Sequence, residues 1–357
     1  MIQEVKLSVY VRASILLVGF YVLVSMLWLA QDMLLPVIYA LILGLLLSPV
    51  VSFLVRRGVR RFLAILIVLL LTLLLVSGLV MLLVSQASVL RDNIPELKQK
   101  FSLMVAGFTD WLSTYFQISH ESLSGWYDKG KAELTENQGT LMGSTISSVG
   151  GVLGATFLTP VYLFMVLFYQ RHLVTFIHRL FGASRIEEVT TFLQNTRTIV
   201  QGYLVGLFLE FLILAALNIL GLWILGIKFF FLLGILGAFL NIIPYLGGII
   251  GVILFMIIAL LTKTPDYVLY VALLYSIIQF IDNNLIVPRV VGAKVKLNAL
   301  VSLFAVIAGA ALWGIPGMLL SIPLTAILKL LFDQMKGMKA WGFLLGESEE
   351  TTPALKR

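Results

Sequence analysis

The sequence predicts an all-α, polytopic helical membrane protein of about eight transmembrane helices, two of them broken segments that fold back as re-entrant hairpins. Three observations carry this expectation. Apolar residues make up 60% of the 357-residue chain and charged residues 12%, whereas a soluble domain is about half apolar and about one quarter charged. Apolar runs recur at the length that crosses a bilayer core, about 20 helical residues. Two later runs are too long for one upright span, and each carries Pro and Gly at mid-length.

The early runs are simple. Residues 13–31, 33–55 and 62–85 contain no Lys or Arg, and each is long enough to cross. Lys6 and Arg12 precede the first, and "WLAQD" has no small-x-small cleavage pattern, so it reads as a retained span and not a removable signal. The loop "RRGVRR" gathers Arg56, Arg57, Arg60 and Arg61, which places it in the cytoplasm. By alternation the N-terminus is cytoplasmic and residues 86–148 lie outside. There Ile94, Leu97, Phe101, Met104, Phe108, Trp111 and Tyr115 recur at alternating spacings of three and four. This heptad-like seam follows "DNIPE", a cap with an early proline. It suits a helix packed on a neighbour such as 121–134, a helix lying on the membrane, or a contact between protomers.

A fourth span over 149–170 enters through "GGVLG", carries Pro160 and ends at Arg171. In "SRIEEVTTFLQNTRTIV", Ser184 and Glu187 form a capping-box pattern, and Ile186, Val189, Leu193, Thr196 and Val200 make a mostly apolar stripe. That segment reads as an interfacial cytoplasmic helix, followed by a fifth span over 201–225.

The stretch "FLNIIPYLGGIIG" interrupts the first long run. One helix over 229–260 would measure roughly 48 Å, and each half cut at Pro244 about 23 Å. Neither length suits a core of about 30 Å, whereas two half-helices that enter and return suit both. Charge supports the hairpin. If the run returns to its own side, residues 266–286 cross inward and Arg289, Lys294 and Lys296 become cytoplasmic, with Lys228 and Lys263 left outside. The last run, 297–328, holds Gly314, Pro316 and Gly317 in "GAALWGIPGMLLSIP" and is flanked by Lys296 and Lys329. It reads either as a second hairpin or as two full crossings. Ile243-Pro244 and Ile315-Pro316 mark the two bends, a weak inverted repeat of the kind found in secondary transporters. The expected organisation is a three-span region over 1–85, an extracytoplasmic helical segment over 86–148, a membrane core over 149–335 and a cytoplasmic tail over 336–357.

Composition also excludes functions. The chain has no cysteine, so disulfides, iron–sulfur clusters and thiolate zinc sites are ruled out. His120, His172 and His178 are the only imidazoles, and the last two lie among Arg171, Arg179 and Arg185, which reads as a solvated basic loop and not a metal site. The net charge of +7 gathers at the ends of apolar runs, where orientation and anionic lipid explain it without nucleic acid. No H-E-x-x-H, P-loop or G-x-S-x-G is present. No enzyme chemistry, cofactor or ATP drive is therefore expected.

The polar residues inside apolar runs carry the chemistry. Glu210 is the only charge between Arg197 and Lys228. An ionised carboxylate at mid-span costs at least about 2.5 kcal/mol. It reads as a proton or cation site, or as a neutral acid hydrogen-bonded to a neighbouring helix. Gln279, Asp282, Asn283 and Asn284 occupy about one and a half helical turns. Such oxygen density could hold a cation or a polyhydroxyl solute, or it could be an ordinary helix end. Asn241 could cap a half-helix beside a solute. Gly247, Gly248 and Gly251 allow close backbone approach, for a solute or for helix packing alone.

Taken together, "NIIPYLGG", "IDNNLIVPRVVGAKVKLNAL" and "GAALWGIPGMLLSIPL" resemble the autoinducer-2 exporter (AI-2E) family, also called PerM, over nearly the whole chain. The family pattern falls on Asn241, Pro244, Tyr245 and Gly247, on Asp282, Asn283 and Pro288, and on Gly292, Gly314, Gly317 and Pro323. Gly248 and Ala299 stand where many members have proline. The resemblance implies a multi-pass permease of the bacterial inner membrane and is compatible with a homo-oligomer. Members are linked to export of autoinducer-2 and others to sodium/proton exchange. The site expectation is therefore a small hydrophilic solute or a cation (Na+ or H+), moved by alternating access where the two bends approach Glu210 and the Asp282–Asn284 cluster.

Overall fold

The computed structural model describes residues 8–116, 158–182, 185–243, 246–292, 297–335 and 337–347. These residues form helices and short connections, with no strand among them. The helices are α1 (Val9–Leu29), α2 (Gln31–Arg56), α3 (Arg61–Asp92), α4 (Ile94–Phe116), α5 (Leu158–Phe181), α6 (Ile186–Ile224), α7 (Phe230–Asn241), α8 (Leu246–Thr262), α9 (Asp266–Ile281), α10 (Ala299–Gln334) and α11 (Lys339–Leu345). Among the described residues, seven helices are long and apolar enough to cross a membrane: α1, α2, α3, α5, α6, α9 with its continuation to Val290, and α10. α1 buries none of its residues and exposes Leu16, Leu17, Phe20 and Tyr21. A helix that is apolar all round and still exposed is solvated by lipid.

Several expectations fall outside the described residues. These are Pro244, Tyr245, His120, the segment 121–134, the "GGVLG" start of the fourth span, Ser184, Lys294, Lys296 and the tail beyond 347.

Two boundaries differ from the sequence reading. The interfacial helix and the fifth span are one helix, α6, of 39 residues. Residues 186–224 contain no proline, and an isolated glycine costs a helix only about 1 kcal/mol, so nothing divides them. α5 runs past Arg171 to Phe181. His172 and His178 therefore sit on a helix and not in a loop, and the His178 Nε2 lies 3.1 Å from the Thr190 hydroxyl.

The chain forms two compact units, and α3 and α6 contribute to both. The first comprises Met1–Ile65, Ala155–Tyr203 and Lys294–Arg357. Within it α10 bends at Trp313 and Gly314, where Gly314 takes φ 63° and ψ −142°, a left-handed geometry that glycine adopts without a Cβ penalty. The arms fold back on each other. A Cβ placed on Gly309 would lie 2.8 Å from the Gly317 carbonyl carbon, although a straight helix would hold these residues about 12 Å apart. The arm 299–312 rises roughly 21 Å, short of the roughly 30 Å core, whereas the arm 315–334 rises roughly 30 Å. The ends of the run also meet. The Asn298 side chain accepts from the Val301 N–H at 2.8 Å and donates to the Leu344 and Gly346 carbonyls at 2.7 and 3.0 Å. Two long-range bonds hold the bend: Tyr39 donates to the Pro316 carbonyl at 3.0 Å, and the Trp313 indole to the Leu27 carbonyl at 3.1 Å.

The second unit comprises Leu66–Gly154 and Leu204–Ala293. Here α7 has 12 residues and α8 has 17, so they rise about 18 and 25 Å and neither crosses alone. They pack against each other, and α8 packs on α9. Leu222, Leu233, Phe255, Val271 and Tyr275 join α6, α7, α8 and α9 in one core, with Phe255 and Tyr275 edge to face at 5.6 Å. Small residues set the spacing. A Cβ on Gly234 would lie 2.8 Å from the Ile219 backbone nitrogen on α6.

The predicted heptad seam lies on α4, which contacts α8. Phe101, Phe108, Trp111 and Tyr115 are exposed, and the last three stack in series. The base of α4 meets the start of the hairpin: the Lys228 ammonium donates to Asn93 Oδ1 at 2.6 Å and to Glu96 at 3.5 Å. A hydrogen bond from Lys100, then the charge of Lys228, hold the Glu96 carboxyl below its usual value. A depressed carboxyl stabilises the fold fully above the ordinary glutamate value, and that contribution is lost as pH falls through the folded value. Amides 96–100 are therefore expected to exchange faster, after correction for intrinsic rates, as the protein is acidified below about pH 4.3. Hydrogen exchange of a Lys228→Met variant should lack the Lys228 part of this response. Identical profiles would show that the Lys228 contact adds nothing.

Candidate transport site

Three side chains from three elements converge inside the second unit. Glu210 lies on α6, Asn241 is the last residue of α7, and Asp282 follows α9. Glu210 is 6% exposed and Asp282 1%. The Asn241 amide donates to Glu210 Oε1 at 3.2 Å and to Asp282 Oδ2 at 3.0 Å. One amide therefore bridges two buried carboxyl groups, each hydrogen on a different acid. The sequence reading treated Asn241 as a possible helix cap. In the fold its amide nitrogen serves the carboxyl pair instead.

The local backbone explains how these groups arrive. α7 stops at Asn241, where the chain turns at Ile242 and Ile243, so the side chain projects from a half-helix end into the layer between α6 and α9. The close return depends on Gly247, where a Cβ would lie 2.7 Å from the Asn241 backbone nitrogen. After Ile281 the α-helix widens into π turns at Asp282–Ile286 and Pro288–Gly292. Such turns re-aim side chains and concentrate at functional sites.

The polar run 279–284 divides. Asp282 points inward, and Gln279 is half-buried facing α8, 3.5 Å from where a Cβ on Gly248 would sit. Asn283 and Asn284 are exposed, and Asn284 donates back to the Phe280 carbonyl at 2.8 Å. Gly314, Pro316 and Gly317 belong to the hairpin of the first unit. Tyr275, at 7% exposure, faces the Gly248–Gly251 surface, its hydroxyl 3.1 Å from a Cβ built on Gly251.

One residue escaped the sequence reading. Asn218 on α6 is 3% exposed, and its Oδ1 has no hydrogen-bond partner among the described residues. Asp282 Oδ1 is likewise buried without one. Orphaned buried oxygens of this kind call for an unseen proton, ion or water. Asn218 could have been found as the lone amide in the apolar stretch 211–224. No group of three or more His, Asp or Glu gathers as a metal site among the described residues.

Interrupted spans around buried, mutually bonded polar groups define a class, the helical membrane transport proteins with broken helices. Comparison with known sequences supplies the family. The family described as AI-2E family transporter matches residues 14–337, and this chain belongs to it. YrrI and YueF of Bacillus subtilis strain 168, both provisionally named transport proteins, are similar. YrrI is 27% identical over 263 residues, 73% of each chain, and YueF 26% over 260 residues, 70% of this chain and 69% of its own. The AI-2 transport protein TqsA of Escherichia coli K12 is 32% identical over 123 residues, 34% of this chain and 36% of TqsA.

Proposed function

We propose that this protein is a secondary, ATP-independent transporter of the bacterial inner membrane, exporting a small hydrophilic solute such as autoinducer-2 by alternating access, with proton movement through Glu210 supplying the coupling. The observation that carries this reading is the carboxyl pair bridged by Asn241 at the tip of a half-helix. Two ionised acids sharing one amide in an apolar layer repel each other, and a proton or a monovalent cation on the pair removes that repulsion. A change in occupancy then alters what holds α7 to α6 and α9, which links ion binding to movement of the hairpin. Gln279 extends the polar surface toward α8, and Asn283 and Asn284 would meet solute on the outer side of the same turn. The membrane-chain architecture and transport family support the solute class, and the name of TqsA supports the choice of autoinducer-2. The arginine loop at 56–61 supports cytoplasmic termini. The exposed aromatic seam of α4 supports a homo-oligomer.

A sodium/proton antiporter is the second reading, favoured by the free oxygen of Asp282 as a cation ligand. One experiment separates these. Autoinducer-2 flux and lumenal pH are followed in proteoliposomes under imposed proton or Na+ gradients. The proton gradient is expected to stimulate wild-type solute flux about tenfold, the scale of a typical coupling free energy. Glu210→Gln should keep solute flux and lose the stimulation. Equal stimulation in the variant sinks the coupling role. Na+-driven pH change without solute flux selects the antiporter, and no flux of any kind leaves a non-transporting membrane scaffold.

A further inference from the structure

The first unit contains a cavity of about 510 Å³ bounded by α2, α5, the first turns of α6 and the second arm of α10. This volume lies within the range of small-molecule sites, about 300–1,000 Å³. Its body is aliphatic, with Leu41, Val166 and Leu324 on three different walls. Its polar groups are not scattered. Thr190, Gln194 and Arg197 recur at i, i+4 and i+7 on α6, one face of the helix, and His178 of α5 stands opposite Thr190.

The charge of this rim is one-sided. Among the described residues, no carboxylate lines the cavity. Arg197 is half-buried, and no acidic side chain pairs with it among the described residues. A second cation stands behind the wall: Arg61 donates to the Leu167 carbonyl at 2.8 Å and approaches Gln170, a lining residue, at 3.4 Å. Thr190 is engaged by His178 and by the Ile186 carbonyl. The side chains of Gln194 and Arg197 make no side-chain bond among the described residues and stand ready as donors for an occupant, beside the second ring nitrogen of His178.

We propose that this cavity is a binding site for an anionic phospholipid, one acyl chain lying among the aliphatic side chains and the phosphate held by Arg197 and Gln194. Of the lining helices, α2, α5 and α6 are each long and apolar enough to cross a membrane, where acyl chains would surround them. An apolar cavity among such helices is filled most readily by a chain from that solvent. The unmatched arginine then selects which lipid supplies it. A zwitterionic lipid fills the same space and brings a positive group to a rim that already lacks negative charge. Arginine fits here better than a point charge, because its planar fork takes two phosphate oxygens at once.

The test is native mass spectrometry of the full-length protein taken from nanodiscs of equimolar phosphatidylglycerol and phosphatidylcholine with identical chains. Wild-type protein is expected to retain phosphatidylglycerol over phosphatidylcholine by about fivefold, the equivalent of about 1 kcal/mol for one cation at the membrane surface. Arg197→Gln should bring the ratio near parity, and Arg197→Lys should keep most of it. Gln194→Glu places an acid at an exposed rim position and should also bring the ratio near parity, so the proposal stays testable if Arg197→Gln does not fold. Equal retention of both lipids by the wild type overturns the proposal. So does an unchanged preference in Gln194→Glu, because the phosphate then lies elsewhere on the protein.

Discussion

Asn241→Leu is expected to stop transport and to lower stability by about 2–3 kcal/mol, the cost of leaving buried, charge-bearing acceptors without their donor. That is well above the roughly 0.6 kcal/mol average of an interhelical hydrogen bond in a bilayer. The difference arises because one amide serves two carboxyl groups, at 3.2 and 3.0 Å. Both acids lose their partner in a single substitution. Leucine keeps the branched shape of the side chain while removing both the donor and the acceptor. The measurement is thermal unfolding in detergent beside flux in proteoliposomes. A double-mutant cycle sharpens it. Asn241→Leu should be much milder in an Asp282→Leu background, where one of the orphaned acids is gone. Strict additivity would mean that the two residues do not act on each other.

Gly247→Val should be the most damaging apolar substitution. The space a side chain would need is already occupied by the Leu240 carbonyl and by the Asn241 backbone nitrogen, 2.7 Å from the added carbon. Overpacking usually costs 1–3 kcal/mol, and this site belongs at about 3 kcal/mol because backbone cannot rotate out of the way as a side chain does. The same push displaces Asn241, so flux should disappear together with stability. Gly248→Ala next door is the control. Its Cβ would meet Gln279 and Tyr275 at 3.5 and 3.6 Å, ordinary contact, and the change should stay within about 0.5 kcal/mol. Equal tolerance of both substitutions by size-exclusion profile and melting temperature would remove the close α7–α8 approach from the account of this hairpin.

The two hairpins illustrate how far local sequence reaches. Pro244 sits within a run whose length fits neither one span nor two, and that mismatch needs only the rise of a helix and the thickness of a bilayer. The fold-back of the last run rests on contacts that sequence does not reveal. Gly309 meets Gly317, and Asn298 meets the carbonyls of 344 and 346. The boundary inside α6 went wrong for a related reason. A change from amphipathic to fully apolar composition marks a change of surroundings, and a helix passes through such a change without breaking when no proline intervenes.

The sequence by itself determined the membrane class, the number and placing of the apolar runs and their interruptions, because each depends on composition and spacing along a short stretch. It also singled out Glu210 and Asp282, since a carboxyl group in an apolar run stands out against its neighbours. Only the tertiary structure decided which polar residues belong together. Successive helical residues point about 100° apart, so the run 279–284 could not send all its oxygen atoms one way. Asp282 turned inward, Asn283 and Asn284 turned outward, and the partner that joins Asp282 to Glu210 came from the end of a different half-helix. Convergence of this kind depends on how α6, α7 and α9 pack, and no spacing along the chain encodes it.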